Sequence, residues 1–434
     1  MSAGGVGGVG ILALFVLLLL RVPVWAALAI VGFLGDVALS GGAGAFASLG
    51  TAPIDSASLY TLSVLPLFIL TGGVAASTGL STDLFSAARV IFSGVKGALA
   101  VATILASACF GAVCGSSIAT AATMTRISLK EMRAAGYKDS LAAGSIAAGG
   151  SLGILFPPSI ILVIYGAIAE QSVPKLFAAG LLPGITLTLL YIAVAFVVAH
   201  RSPEAAPAAP SAPLRERAAA LRGPWQFLTL FIVTIGGIYA GVFSPTEAAA
   251  IGAAGAMILG LAGRRLDRAT LLAAVENAVT TSGMLFAIII GANIFSYFMV
   301  QTQLPALLAQ EAKALALPGW AAMVLMILSY LVMGCFLEGI GMILITVPVF
   351  LPLVKTYGYD PIWFAIIVAI VVEVGLIHPP VGMNLFVVQA QAPGLSVIEI
   401  YKGVAPFLIA PLILIVLMFL FPQLALWLPG VLYR

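Results

Sequence analysis

The chain has 434 residues, 62% of them hydrophobic and only 8% charged. Soluble domains average about 45–50% apolar and about 25% charged residues, so this composition excludes a soluble enzyme and points to a polytopic helical membrane protein. The formal net charge of +3 says little about partners, and long apolar runs without short alternating segments argue against a transmembrane barrel.

The first apolar run, Ile11–Leu20, lacks a basic n-region and continues into further spans, so it reads as a span and not as a cleavable signal. Spans are expected over about Gly5–Leu20, Val24–Gly35 and Leu59–Ser77. Segment 36–58 carries Asp36 and Asp55 but no Lys or Arg, and reads as facing outward. Lys96 and Arg126 belong inside, yet only 29 mostly apolar residues separate them. Two full crossings would need about 40 residues. A re-entrant hairpin over 97–125 fits better, turning within FGAVCGSS at 110–117. The following cluster of Arg126, Lys130, Arg133 and Lys138 reads as a cytoplasmic anchor.

The next span, over 139–169, contains GGSLGILFPP at 149–158. Pro157-Pro158 removes two amide donors and drives the preceding residue out of helical geometry, so the span must unwind there. Carbonyls freed in lipid have to line a cavity or bind a cation. The Ser116 and Ser117 hydroxyls at the hairpin turn are hard oxygen ligands suited to Na⁺.

A proline- and arginine-rich stretch at 200–224 then breaks the hydropathy and reads as a cytoplasmic linker between two copies of one unit, 1–199 and 225–434. The copies hold register at an offset of 222 residues. Pro23 recurs as Pro245, Gly97 as Gly319, Gly136-Tyr137 as Gly358-Tyr359, Gly153 as Gly375, and Pro157-Pro158 as Pro379-Pro380. Such internal repeats are common in secondary transporters, whose sites lie at the repeat interface. Second-copy spans are expected over Trp225–Val242, Ala248–Gly263 and Thr281–Val300, with a hairpin over 319–347 and a broken helix over 361–391. Segment 258–280 is basic where its counterpart 36–58 is acidic, so the repeat reads as inverted, with five crossings and one hairpin per copy and the amino terminus outside.

Other polar residues have competing readings. Ser244-Pro-Thr-Glu247 is a capping box that starts a helix. Glu338, at the second hairpin turn, is either a functional intramembrane acid or faces water near the outer surface. His378 is either a proton-coupling group or a neutral donor to a carbonyl. Asn293 and Asn384 read as inter-helix hydrogen-bond donors. Cys109, Cys114 and Cys335 show no metal-ligand spacing and read as structural thiols. No phosphate-loop or zinc-protease motif is present, which argues against an ATPase or a common intramembrane enzyme.

Five segments together resemble the large membrane subunit of the tripartite ATP-independent periplasmic (TRAP) transporters. They are FGAVCGSSIATAATM (110–124), GYKDSLAAGSIAAGGSLGILFPPSIILVIYG (136–166), SPTEAAAIG (244–252), LEGIGMILITVPVFLP (337–352) and PPVGMNLFVV (379–388). The resemblance implies an all-α, elevator-type, Na⁺-coupled importer in a bacterial inner membrane, with a transport domain of both hairpins and both broken helices sliding against a scaffold. It implies two partners, a small four-helix membrane subunit and a periplasmic substrate-binding protein, and organic-acid substrates such as C4-dicarboxylates, sialic acid or sugar acids. Carried over by position, one Na⁺ site uses Gly115, Ser116 and Ser117 with Gly153, Phe156 and Pro158. A second uses Gly334 with Gly375, His378 and Val381, mostly through backbone carbonyls. Substrate is expected near the tips, at Ser116 and Glu338. The chain departs from the family at His378, where threonine is usual. A stand-alone Na⁺- or H⁺-coupled anion symporter of similar architecture is the alternative reading.

Overall fold

The computed structural model describes residues 2–207, 210–334 and 337–433. Cys335 and Phe336, which the sequence places in the second hairpin turn, and Ala208 and Ala209 of the linker lie outside the described residues. Every regular element among the described residues is helical. Among the described residues seven helices are long and apolar enough to cross a membrane, and there are several shorter apolar helices.

Many helix ends fall at the 222-residue offset. Ser117–Ala134 and Gly339–Thr356 start and end at equivalent positions. Asp139–Ser151 and Pro361–Ile377 begin at equivalent positions, and Ile160–Ala169 and Met383–Gln391 end at them. The backbone at the helix starts matches, although only one side chain of each equivalent pair, Ser116 and Asp360, caps its helix. Ser116 and Glu338 are equivalent N-cap positions in extended backbone, and Asp360 caps Pro361–Ile377 by accepting from the Ile362 and Trp363 amides.

The copies differ between the first two spans. Residues 36–58, expected as an outward segment beyond the span Val24–Gly35, are helical: Val24–Ser58 is two helices that meet at a kink at Gly41, with φ 77°. Asp36 does not mark a loop. It is fully buried, and its Oδ2 accepts a 2.8 Å hydrogen bond from the Ser48 hydroxyl across the Gly41 break. In the second copy the break falls at the equivalent position, Gly263, but there it opens into a short turn. Pro245–Ala262 ends at Gly263, and Asp267 restarts the chain by capping Thr270, giving the continuous 34-residue helix Arg268–Gln301. The expected span Thr281–Val300 is therefore the distal part of a longer helix. Trp225–Val242 is likewise less regular than expected: Trp225–Phe231 passes through a π-helical turn, Ile232–Gly236, before Gly237–Tyr239. The capping box at Ser244 and Glu247 is present, which pulls the start of that helix back to Pro245.

Charges at the helix ends tie elements together. Arg133 grips both carboxylate oxygens of Asp139 at 2.7 and 2.9 Å, joining the end of Ser117–Ala134 to the start of the broken helix. Lys138 pairs with Glu204 of the linker, and Arg89 with Glu131. Asn293 donates to the Ser56 hydroxyl, which links the two long helices of the different copies. Arg133→Ala is expected to lower the thermal midpoint of the purified protein more than Arg89→Ala does. The first loses a half-buried bidentate pair and the second a single exposed contact, worth about 0–1 kcal/mol. Differential scanning fluorimetry in detergent checks that ranking.

Candidate functional site

The first hairpin climbs through Ala98–Cys114, turns at Gly115 in the left-handed region (φ 64°), and descends as Ser117–Ala134. At the turn the Ser116 hydroxyl accepts from the Ala119 amide at 3.3 Å. A side chain on Gly115 would place its Cβ 2.3 Å from the Pro158 carbonyl oxygen. The hairpin tip therefore rests directly on the backbone of the diproline break.

The break itself follows from local sequence. Asp139–Ser151 tightens into a 3₁₀ turn, Leu152–Ile154, and helix resumes only at Ile160 behind the N-cap Ser159. The whole stretch 151–160 is buried. Leu152 collects amide bonds from both Leu155 and Phe156. The prolines that follow donate none, so the Gly153 and Ile154 carbonyls, four residues before them, lose their helical partners. Gly153 faces the tip: an added Cβ on Gly111 would lie 2.7 Å from Gly153 Cα, and one on Gly153 would lie 3.3 Å from the Ser116 carbonyl. The structure thus brings Gly115, Ser116, Gly153 and Pro158 into backbone contact. The Phe156 ring turns away and packs on Gly184, leaving only its main chain available to the site.

The second copy repeats the arrangement. Pro361–Ile377 stops at His378 in extended backbone (φ −90°, ψ 131°), and helix resumes at Met383. An added Cβ on Gly334 would lie 2.9 Å from Gly375 Cα. The His378 carbonyl lies against Gly382, and Val381 shares an apolar groove with Met333 and Leu337 near the second turn. The Tyr401 hydroxyl bonds the Pro380 carbonyl. Both diproline peptide bonds are cis.

The two tips share one narrow cleft of about 60 Å³. Ser116 and Ser117 line it from the first tip, Glu338 and Gly339 from the second, and Ile160 and Leu376 from the broken helices. The second copy also reaches into the first. Asn384 is fully buried and donates a 2.8 Å hydrogen bond to the Ser117 hydroxyl, while its Oδ1 has no hydrogen-bond partner. Among the described residues no three His, Cys, Asp or Glu side chains converge. The oxygens near the tips that could meet a hard cation are carbonyls, hydroxyls, the Asn384 amide and the single carboxylate of Glu338.

One polar pair escaped sequence reasoning. Glu373 and Ser151 occupy equivalent positions in the two copies, each two residues before the glycine facing its tip. They meet: the Ser151 hydroxyl donates to Glu373 Oε1 at 2.7 Å, the Tyr191 hydroxyl is 3.4 Å from Ser151, and Glu373 Oε2 has no partner. Glu373 is fully buried. Equivalent residues can touch only where two repeats cross, so a polar pair at the repeat offset is the signal that would have found the crossing.

Residues 11–424 match the family described as "Tripartite ATP-independent periplasmic transporter, DctM component". The chain belongs to that family, as a TRAP large permease subunit. It is a multi-pass membrane transport protein and not an enzyme. The permease is 35% identical over 387 residues to the C4-dicarboxylate TRAP transporter large permease protein DctM of Pseudomonas aeruginosa, covering 88% of this chain and 89% of that protein. It is 30% identical to the sialic acid TRAP transporter large permease protein SiaM of Vibrio cholerae, over 85% and 86% of the two chains. It is 32% identical to the ectoine/5-hydroxyectoine TRAP transporter large permease protein UehC of Ruegeria pomeroyi, over 96% and 97%. The fold of the permease is similar to that of the Alcanivorax borkumensis YdaH transporter, with TM-score 0.64 at 16% identity over 90% of each chain.

Proposed function

We propose that this chain is the large permease subunit of a Na⁺-coupled, binding-protein-dependent importer of small organic solutes in a bacterial inner membrane. The observation that carries the reading is the backbone contact between each hairpin tip and its own helix break, with both tips on one cleft. Unwound segments whose carbonyls turn inward are the means by which membrane transporters bind alkali cations without a carboxylate cage. One Na⁺ would be held by main-chain oxygens around Gly115, Gly153, Phe156 and Pro158 with the Ser116 and Ser117 hydroxyls. A second would be held around Gly334, Gly375, His378 and Val381. In this reading the repeats 1–199 and 225–434 are inverted, joined by the linker 200–224, with the amino terminus periplasmic. The hairpins and broken helices move as one body against the long outer helices, in elevator fashion. A small membrane subunit and a periplasmic binding protein complete the system, as the family name implies. Relatives named for C4-dicarboxylate, sialic acid and ectoine give the range of solutes.

Reconstitution tests this reading. Proteoliposomes holding the permease with its small subunit should accumulate solute only with an inward Na⁺ gradient and with the binding protein outside. Accumulation without binding protein would support a stand-alone symporter, and accumulation driven equally by K⁺ would remove Na⁺ coupling. His378→Thr restores a hydroxyl beside the second site and is expected to lower the Na⁺ half-saturation concentration severalfold, since a hydrogen-bonding group contributes about 1 kcal/mol. An unchanged Na⁺ dependence would leave the side chain at 378 outside the site.

A further inference from the structure

A groove of about 1000 Å³ separates the first helix, Ala3–Leu19, from the second hairpin. Ile11, Phe15 and Leu19 line one wall, and Leu328, Val332 and Met333 of the hairpin line the other. Leu19, Leu328 and Val332 are at least half exposed, so the groove is open along its side. Its two hydroxyls are satisfied within their own helices: Ser329 donates to the Met326 carbonyl at 2.6 Å and Thr346 to the Met342 carbonyl at 2.7 Å. Such walls offer water no hydrogen-bond partners, whereas hydrocarbon suits them.

One charge stands at the end of this groove. Arg21 is the one ionisable side chain lining it among the described residues, and it belongs to none of the ion pairs formed among them. The backbone fixes its place. The first helix ends in a Schellman turn, in which the Val22 amide donates to the Leu17 carbonyl and the Arg21 amide to the Leu18 carbonyl. Arg21 sits there in the left-handed region, at φ 64°. Glycine takes that conformation without a steric penalty, and the turn that ends the corresponding second-copy helix uses it, at Gly241 with φ 70°. The first copy keeps an exposed arginine instead, beside an apolar groove.

From Leu19 to Ile11 the groove follows about 12 Å of helix, at about 1.5 Å per residue, within the roughly 15 Å of hydrocarbon in one leaflet. An occupant therefore needs an apolar body about one leaflet deep, with an anionic group at one end. We propose that the groove holds an anionic phospholipid from the leaflet on the Arg21 side, its phosphate on the Arg21 guanidinium and its acyl chains along Ala3–Leu19. The planar fork of arginine meets two phosphate oxygens at once. Met333 and Val381 border the same groove, so the lipid also covers the flank of the second helix break. The site is separate from the cleft between the tips and does not rest on the ion reading.

Native mass spectrometry tests this on the delipidated permease, alone and with its small subunit, titrated in Na⁺-free buffer. The probes are palmitoyl-oleoyl phosphatidylglycerol and the phosphatidylcholine with the same chains. The wild-type complex should retain one phosphatidylglycerol about fivefold more tightly than phosphatidylcholine, the effect of one cation near an anionic headgroup. Arg21→Gln should bring the two lipids to equal retention, while Arg21→Lys keeps a preference, which separates charge from a folding defect. Val332→Trp, on the open wall, should lower retention of both lipids with Arg21 intact. Equal retention of the two lipids by the wild type, a preference that survives Arg21→Gln, or retention unchanged in Val332→Trp overturns the proposal. So does retention by the permease alone that the small subunit abolishes, because the groove is then the seat of that subunit.

Discussion

Gly375→Val is expected to abolish transport while the protein still reaches the membrane. A Cβ at this position would lie 3.0 Å from Gly334 Cα and 3.5 Å from the Gly334 carbonyl oxygen, so it meets backbone and not a side chain that can swing aside. Valine would push the second hairpin tip off the helix break. Overpacking of this kind costs about 1–3 kcal/mol where the surroundings can relax, but the displaced atoms here are the candidate ion ligands themselves. Uptake should fall on the order of 100-fold, as displacement of a positioned group by about 1 Å does at catalytic sites. The equivalent change in the first copy gives an internal gradation. Around Gly153 the nearest backbone atoms would lie 3.3–3.4 Å from an added Cβ, so Gly153→Ala should retain more activity than Gly375→Ala. Initial rates in proteoliposomes, normalised to permease content, check both. Uptake by Gly375→Val within twofold of wild type would mean that the tip–break contact has no part in transport.

The second large effect concerns Ser151 and Glu373, where stability and activity are expected to separate. Ser151→Ala leaves Glu373, fully buried, without its one hydrogen-bond partner. An unsatisfied buried polar group costs about 1–3 kcal/mol, so the thermal midpoint should drop. Glu373→Leu removes the polar group altogether and fills the space with apolar atoms, which is often neutral or stabilising. It nevertheless deletes the tie between the two broken helices and should reduce uptake about tenfold or more, whereas Glu373→Gln should preserve most of it. The double variant Ser151→Ala/Glu373→Leu should recover the midpoint lost by Ser151→Ala alone, giving a coupling term of the size seen for residues in contact. Additive midpoints, or full uptake by Glu373→Leu, would show that the pair is incidental to both.

The legible parts of this chain are those in which one residue type dictates backbone. Glycine with positive φ and proline without an amide act locally, so the turn at Gly115 and the helix interruptions ahead of Ile160 and Met383 could be read directly. The capping box at Ser244 is local in the same sense. The helical course of segment 36–58 and the burial of Asp36 are not legible, because an aspartate in a membrane protein can face water or a buried hydroxyl and hydropathy does not distinguish them. Asp36 has Ser48 as its partner across the Gly41 kink. Glu373 was hidden for a different reason. It lies inside the apolar run Pro361–Ile377, and its partner is 222 residues away, so no window centred on either residue contains both. Asn384 was read as an inter-helix donor, and it does bond Ser117 across the copies. That it also presents an unpaired oxygen beside the first tip depends on packing that spacing cannot give.

If main-chain oxygen at the two matched interruptions holds a small hard cation, the resting protein must bind Na⁺, and that binding is the most direct test. The thermal midpoint of the purified permease in nanodiscs should be measured against NaCl, KCl and choline chloride at constant ionic strength. A ligand that binds only the folded state raises stability as its concentration exceeds the dissociation constant. A saturable rise is expected in NaCl alone, diminished in Gly375→Val and in Ser116→Ala/Ser117→Ala. Identical midpoints in the three salts, or a Na⁺ response that survives all of these substitutions unchanged, would contradict it.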